Sequence, residues 1–169
     1  MTLNHNFHKI TKRNLWQFEI YDGIHRLSDI DVDHLTPKRV VRKFNVITNA
    51  GIIESQKREL GLISSSVSYC AVGAGKSAES RRDTTLQAEL GRKAIQTRQL
   101  VGLQSQYRTA WTISDVLGNS AQISEAGLFT ESSDGIMSAR IVSDVPIRLD
   151  HNQTLTVTVY GDLVRETTV

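Results

Sequence analysis

The sequence has a single cysteine, almost no net charge and no long apolar run, and each absence excludes a class of protein. Cys70 alone cannot form an internal disulfide, so the fold does not depend on an oxidising compartment. The formal net charge is only +2, and the basic residues are not gathered into one block, which argues against a dedicated nucleic-acid surface. No segment approaches the roughly 20 apolar residues of a membrane helix.

The first residues, MTLNHNFHKITKRNLW, also lack the apolar core of about 7–15 residues that is typical of a signal peptide. We therefore expect a protein that is made in a cytoplasm and acts without membrane insertion. The chain of 169 residues is 39% hydrophobic and 22% charged, a globular composition with room for one domain, or one domain and an arm. We predict a flexible N-terminal arm at 1–13, a hairpin and strand at 14–47, and a β-sandwich domain at 48–169.

Alternation of apolar and polar residues indicates strands near the N-terminus. Trp16, Phe18 and Ile20 alternate with polar neighbours, and Asp22-Gly23 suits the type I′ turn of a hairpin. The alternation predicts a return strand from Ile24 to about Ile30 and a further strand from Lys38 to Val46. Thr48-Asn49 can cap a helix at about 50–62.

The remainder of the chain reads as strands separated by turns, with a second short helix at 83–90. We predict strands at 67–72, 93–101, 105–114, 121–129, 136–143 and 154–164, the last one half-buried. Gly118-Asn119 and Asp134-Gly135 mark turns between them. The predicted fold class is mainly β: an antiparallel β-sandwich with one or two short helices and an N-terminal hairpin and arm.

The segment Gly73-Ala74-Gly75-Lys76-Ser77 ends like a phosphate-binding loop, and it follows a strand. That loop needs a glycine five residues before Gly75, and Cys70 stands there. The predicted helix also starts too late, since a phosphate-binding loop places its Lys-Ser at the helix start. A glycine turn is therefore favoured over a nucleotide site.

No metal or catalytic group can be assembled from the sequence. Asp29, Asp31 and Asp33 are spaced like the first half of a calcium loop, but His34 and Val40 occupy the positions that need glycine and glutamate. Cys70, inside an apolar strand, reads as a core residue rather than a nucleophile. Glu125 and Asp134 could form a carboxylate pair, but nothing in the spacing specifies their geometry. The histidines show no ligand spacing and read as solvated or structural; they are His5, His8, His25, His34 and His151.

The middle third is locally basic. A solvated face is the favoured interpretation, and an interface with an acidic neighbouring protein is the functional alternative. The basic residues in question are Arg81, Arg82, Arg92, Lys93 and Arg98.

Five segments, in this order, resemble a widespread group of tailed-bacteriophage virion proteins. They are WQFEIYDG (16–23), FNVITNAG (44–51), VSYCAVGAGKSAESRRDTTLQAELGRKAI (67–95), ISEAGLFTESSDGIMSARIV (123–142) and LDHNQTLTVTVYGDL (149–163). The resemblance covers about residues 14–164. Lys76, Arg81 and Arg82 depart from it, since small neutral residues are expected in that turn.

The resemblance implies a β-sandwich that assembles with itself into rings or trimers and binds other virion proteins. Together with the absence of a catalytic group, it favours a non-enzymatic structural subunit of the tail, baseplate or neck, for which we expect no cofactor, metal, membrane or specific nucleic acid. The small Ala126-Gly127 step would let two backbones approach closely. The residues expected to form structural motifs or interfaces are Asp22, Gly23, Asn49, Gly51, Gly73, Gly75, Glu125, Ala126, Gly127, Phe129, Asp134, Gly135 and Arg140.

Three other functions remain open at this point. A capsid decoration protein suits the chain length, and the polar arm could then lie along the capsid. A host-surface adhesin is disfavoured because the sequence has only two Trp and four Tyr, and Trp16 and Trp111 both lie in strand patterns. A nucleotide-binding enzyme would have to use residues 73–77.

Overall fold

Ten strands and two short helices make up the computed structural model, which describes residues 10–116 and 121–165. In chain order they are β1 (Ile10–Asp22), α1 (Leu27–Val32), β2 (Arg39–Phe44), β3 (Val46–Ile47), α2 (Asn49–Glu59), β4 (Tyr69–Gly73), β5 (Glu89–Ala94), β6 (Thr97–Val101), β7 (Gln104–Trp111), a 3₁₀ turn (Ile113–Asp115), β8 (Ala121–Phe129), β9 (Met137–Leu149) and β10 (Gln153–Arg165). None of the described helices is long and apolar enough to cross a membrane.

The strands form two five-stranded antiparallel sheets. The first sheet has the order β2-β1-β10-β7-β6, and the second has the order β3-β9-β8-β4-β5. Apolar side chains from both sheets form one core cluster, in which Trp16 and Trp111 are fully buried. The predicted antiparallel β-sandwich is therefore confirmed.

The predicted N-terminal hairpin has the wrong second strand. Only Gly23 of the Asp22-Gly23 pair has a positive φ, whereas a type I′ turn needs two such residues. Both hydrogen-bonding edges of β1 are taken, by β10 and β2. The segment after Gly23 forms α1 instead, and Leu27 and Ile30, three residues apart, bury one face of that helix.

The predicted boundary at residue 47 does not coincide with a break in either sheet, because strands from both sides of it share both sheets. β1 and β2 lie in the first sheet with β10, and β3 pairs with β9 in the second. Residues 10–13 of the predicted arm belong to β1, where they pair with Arg165 to Asp162 of β10. The rest of the arm and the predicted Gly118-Asn119 turn lie outside the described residues.

The two helix predictions after residue 47 had different outcomes. α2 starts where predicted, since the Thr48 hydroxyl caps it by accepting a hydrogen bond from the Gly51 amide at 2.9 Å. The predicted helix at 83–90 is wrong: residues 83–88 carry no helix, and β5 begins at Glu89. The amides of Gln87 and Ala88 donate to the Glu125 carboxylate, and such side-chain bonds compete with helical ones.

Two strand predictions also need correction. The predicted strand 93–101 is two strands in different sheets, because the chain crosses between the sheets after Ala94. β10 is buried on both faces rather than half-buried. Leu155, Val157 and Val159 face the core, while on the other face Thr154 bonds to the backbone of Gly23 and His25, next to α1.

Candidate functional site

A buried ion pair lies on the outer face of the second sheet, beneath the loop that connects β4 to β5. Glu125 on β8 and Arg140 on β9 lie on adjacent antiparallel strands, with Gly127 directly opposite Arg140. Their side chains are 0% and 3% exposed, and Arg140 Nη2 lies 2.8 Å from Glu125 Oε2. Burying two charges is costly unless both are fully hydrogen-bonded, so their remaining partners decide what the pair does.

Glu125 accepts five hydrogen bonds. Its Oε1 accepts from the amides of Gly75 at 3.0 Å and Ala88 at 2.7 Å. Its Oε2 accepts from the Gln87 amide at 3.1 Å and from Nε and Nη2 of Arg140. The carboxylate therefore fastens both ends of the 74–88 loop to the sheet, and its lone pairs are used in doing so.

Arg140 extends the cluster into the middle of the same loop. Its Nη1 donates to Asp83 Oδ2 at 2.8 Å, and its Nη2 donates to the Ser77 carbonyl at 3.2 Å. Burial acts to lower the pKa of Arg140, but the hydrogen bonds to Asp83 and Glu125 outweigh it and raise that pKa above its ordinary value. The guanidinium thus stays charged in a buried position.

Two glycines leave the space that the Glu125 carboxylate occupies. A Cβ on Gly73 would lie 2.7 Å from Glu125 Oε1, and one on Gly75 would lie 2.6 Å from its Cδ. Both distances are shorter than van der Waals contact. The glycines of the 73–77 segment are therefore explained by the close approach of an internal carboxylate.

The remaining amides of this segment also have internal partners. The amides of Lys76 and Ser77 both donate to Gln87 Oε1, at 2.9 and 3.0 Å. In a phosphate-binding loop such amides point at the phosphates. Here a glutamate and a glutamine side chain occupy that position, which agrees with the predicted glycine turn.

A small apolar cluster continues the site along the same face. It consists of Ala71, Leu86, Phe129 and Met137. A Cβ on Gly127 would lie 2.9 Å from the Phe129 ring and 3.1 Å from Leu86. We predicted that a second backbone would approach the Ala126-Gly127 step. At Gly127 the space is instead filled by side chains. Ala126 faces the opposite way, into the main core.

Helix α2 borders the cluster through two of the predicted residues. The Asn49 amide donates to the Arg81 carbonyl at 2.8 Å, which ties the helix start to the 74–88 loop. Gly51 lies directly on the backbone of Ser138, where any Cβ would overlap it. Nine of the thirteen predicted motif residues thus meet on or beside the second sheet: Asn49, Gly51, Gly73, Gly75, Glu125, Ala126, Gly127, Phe129 and Arg140.

The other four predicted residues lie in two turns. Asp22 and Gly23 end β1, where Asp22 accepts hydrogen bonds from Lys38 and Gln153 that lower the pKa of its carboxyl group. Asp134 and Gly135 close the loop between β8 and β9, and Asp134 adopts a positive φ of 57°. Asp134 and Glu125 therefore do not form a carboxylate pair, since Asp134 lies in this exposed loop and Glu125 is hydrogen-bonded within the buried cluster.

The three aspartates at 29–33 lie on or beside α1 and not in a calcium-type loop. Asp29 accepts from the Arg26 amide at the helix start, and Asp31 pairs with Arg108 at 2.7 Å. Within residues 10–116 and 121–165, no group of three or more His, Cys, Asp or Glu side chains is arranged to hold a metal ion.

Cys70 is buried in the core between the sheets. Burial raises the pKa of its thiol to about 12, so the thiol stays protonated at neutral pH. This agrees with the prediction that Cys70 is a core residue.

The basic residues of the middle third divide into two groups. Arg92 pairs with Glu89 and lies 3.6 Å from the Phe129 ring centroid, Lys93 pairs with Asp115, and Arg98 donates to Ser66, Val67 and Ser68. Arg81 and Arg82 project from the 74–88 loop and are exposed. Three of the five, Arg81, Arg82 and Arg98, are exposed, as a solvated face predicts, whereas Arg92 and Lys93 are half-buried.

Sequence reasoning missed the residues that complete the cluster. Asp83, Ser77 and Gln87 lie in the loop that was assigned partly to a helix. Alternation and turn signals say nothing about such bonds. The only available signal was that residues 83–89, DTTLQAE, fall within a segment of the phage resemblance.

Comparison with known proteins gives no assignment for this arrangement, since no protein-family model, no curated protein and no solved structure matches the chain. The functional argument therefore rests on the residue pattern and on the geometry described above.

Proposed function

We propose that this chain is a non-enzymatic structural subunit of a tailed-phage virion, assembling with itself in the tail, baseplate or neck and binding neighbouring virion proteins. The observation that carries the proposal is the structural role of the five ordered segments in the folded chain. Residues that carry the resemblance hold the sandwich and its 74–88 loop together, as Glu125 and Arg140 illustrate. A residue pattern that serves packing is what a structural subunit needs.

The surface offers places for neighbours to bind. The tip of the β6–β7 hairpin exposes three aliphatic side chains: Leu100 is 74% exposed, Val101 47% and Leu103 99%. Large apolar side chains that protrude together mark interaction surfaces more often than single exposed ones. The tip is therefore a contact surface available to another virion protein.

The proposal is tested on particles of the phage whose genome encodes the chain. Quantitative mass spectrometry of purified particles should find it at about 3–12 copies, as expected for a ring or fibre attachment with closed symmetry. Hundreds of copies would favour capsid decoration instead. Absence of the chain from particles would contradict both assignments.

A separate experiment addresses the nucleotide-binding alternative. A Lys76→Ala variant should fold as the parent does by circular dichroism, and neither protein should retain ATP or GTP in equilibrium dialysis. Nucleotide binding that is lost in Lys76→Ala would overturn the non-enzymatic assignment.

A further inference from the structure

The 74–88 loop presents three basic side chains to solvent. Lys76, Arg81 and Arg82 are exposed, and none of them forms an ion pair with another described residue. We call these three residues the basic loop surface. The two acidic side chains within the same stretch are turned inward instead: Asp83 binds Arg140, and Glu79, 14% exposed, lies 3.8 Å from Lys43. The loop therefore separates its charges, with the positive ones outside.

The basic loop surface is held in place before any partner arrives. Glu125 fixes the loop at Gly75, Gln87 and Ala88, and Arg140 fixes it at Ser77 and Asp83. The Arg81 carbonyl also accepts from the start of α2. A surface that is already ordered loses little conformational entropy on binding, which favours association.

A complementary surface lies on α1. Asp31 and Asp33 are exposed, and Val32 between them is 76% exposed. We call these three residues the acidic helix end. The last turn of α1 carries no basic residue, although the helix dipole favours cations at that end. Asp31 is paired with Arg108, whereas Asp33 forms no ion pair with another described residue, so a positively charged partner would stabilise the helix end at Asp33.

The two surfaces lie on opposite faces of the sandwich and cannot meet within one chain. The loop covers the outer face of the second sheet through Glu125 and Arg140. α1 lies against the outer face of the first sheet, since Asp31 pairs with Arg108 of β7 and the chain before the helix bonds to Thr154 of β10. Contact between them requires two copies of the chain.

We propose that the basic loop surface of one copy binds the acidic helix end of the next, so that copies associate head to tail. This rests on the proposed homo-oligomer and specifies its interface. A head-to-tail contact closes into a ring when the rotation between copies allows it. Apolar contact can accompany the charges, because Ile53, 50% exposed, lies one helical turn beyond Asn49 on the side of α2 next to Arg81.

The charges favour a second copy over a nucleic acid as the occupant. Three cations on a chain of net charge +2 would neutralise few phosphates. The acidic helix end, in contrast, is opposite to the loop in charge, and its exposed Val32 can meet the exposed Ile53 beside the loop.

The test is the solution mass of the full-length chain by size-exclusion chromatography with light scattering. The parent should be an oligomer, while a loop variant, R81E/R82E, and a helix variant, D31K/D33K, should each give the monomer mass of 18.9 kDa. D31K also removes the partner of Arg108, whose side chain is only 13% exposed, so D33K alone serves as the helix variant if the double reversal unfolds the chain. Circular dichroism checks that both variants are folded. If the loop reversal unfolds the chain, R81Q/R82Q replaces it, and we expect this variant to associate at least tenfold more weakly than the parent.

Mixing the variants distinguishes a head-to-tail contact from a symmetric one. Each of the neutralised variants R81Q/R82Q and D31N/D33N retains one normal surface and carries no reversed charge, so an equimolar mixture of these two should form a dimer and nothing larger. The combined variant R81E/R82E/D31K/D33K should regain the parental mass, because both charges are exchanged. The control R39E/R148E makes the same change of charge at exposed sites elsewhere and should keep the parental mass.

The outcomes separate the interface from the function. A monomeric parent would contradict the proposed homo-oligomer and this interface together. A parental oligomer that survives both reversals would overturn the interface alone. An oligomer that appears only when a DNA duplex is added, and is lost in R81E/R82E, would assign the basic loop surface to nucleic acid instead.

Discussion

At the scale of single residues, Glu125 takes the position that a bound anion has in other glycine-rich loops. Backbone amides that converge on one point favour negative charge there. The chain supplies that charge itself, at a side chain with no exposed surface. Arg140 then neutralises the carboxylate and carries the contact on to Asp83.

The first prediction concerns the charge of this carboxylate. Glu125→Gln keeps the size of the side chain but leaves Arg140 buried opposite a neutral group and turns an amide NH₂ toward donors. Removing one partner of a buried pair costs about 3–5 kcal/mol, so we expect the free energy of unfolding to fall by about that amount. Chemical denaturation followed by circular dichroism measures the change.

The matched control is Asp150→Asn, which removes the carboxylate of the exposed Arg148–Asp150 pair. We expect its effect to be within about 0.5 kcal/mol of zero. Equal effects for the two variants would show that Glu125 is not the anchor of the loop.

The second prediction concerns Gly51, and the sign of the change in stability on replacing it decides the outcome. Replacing glycine by alanine inside a helix normally stabilises it by about 0.8–1.0 kcal/mol. At Gly51 the added methyl group would overlap the Ser138 backbone, so we expect Gly51→Ala to destabilise the protein by about 1–3 kcal/mol. Thermal unfolding, with the exposed Gln56→Ala in the same helix as a near-neutral control, checks this.

At the scale of elements, the sequence predicts best where burial alternates along a strand. Trp16, Phe18 and Ile20 of β1 are all buried, as their alternation predicts. The failures occur where the chain is ordered by distant partners. The segment after Gly23 forms a helix because both edges of β1 are occupied, and residues 83–88 are ordered by Glu125, which lies more than 35 positions later in the chain.

The candidate site was predicted as a set of residues but not as an arrangement. Glycines, and a single acidic residue within an apolar strand pattern, can be recognised in a sequence. The partners of Glu125 are backbone amides, which have no sequence signature. Local patterns therefore could not show that Gly75, Gln87 and Ala88 converge on one carboxylate.

The loop gives the third prediction, made for Arg140→Lys. A lysine keeps the charge but cannot bond to Glu125, Asp83 and Ser77 at once, since it lacks the planar fork of arginine. We expect faster amide hydrogen exchange in the middle of the loop, at residues 77–83. The Gly75 and Ala88 amides, which bond to Glu125 directly, should stay protected.

Hydrogen exchange followed by mass spectrometry or NMR resolves the two parts of the loop. Lys57→Arg, a change of the same type at an exposed site on α2, serves as the control and should leave the exchange pattern unchanged. Faster exchange at every amide of the loop in Arg140→Lys would contradict the separate roles of Glu125, which holds the ends of the loop, and Arg140, which holds its middle.

At the scale of the whole molecule, stability should depend on pH in the alkaline range. Burial raises the pKa of Cys70 from 9.0 to about 12, and burial together with Glu19 raises that of Tyr21 from 10.0 to about 12. Between these values the unfolded chain loses protons that the folded chain retains. These two groups leave the free energy of unfolding unchanged below about pH 9 and should make it decrease from there to pH 12.

Urea denaturation at a series of pH values measures this slope. Cys70→Ala removes one of the two groups, so its stability, although lower overall, should decrease less steeply with pH. A slope identical to that of the parent would mean that Cys70 ionises as easily in the folded chain as in the unfolded one.

The proposed function is tested most directly on the assembled particle. A sandwich with an exposed apolar hairpin tip, the basic loop surface on one outer face and the acidic helix end on the other is suited to repeated contacts with copies of itself and with neighbours. The most direct measurement is a cryo-electron-microscopy map of the phage particle, compared with particles in which the chain carries a fused fluorescent protein as a density label. We predict a symmetric ring or trimer of this sandwich in the tail, baseplate or neck, with extra density at each copy in the labelled particles. Particles that are complete without the chain, or that show no labelled density, would contradict the proposed function.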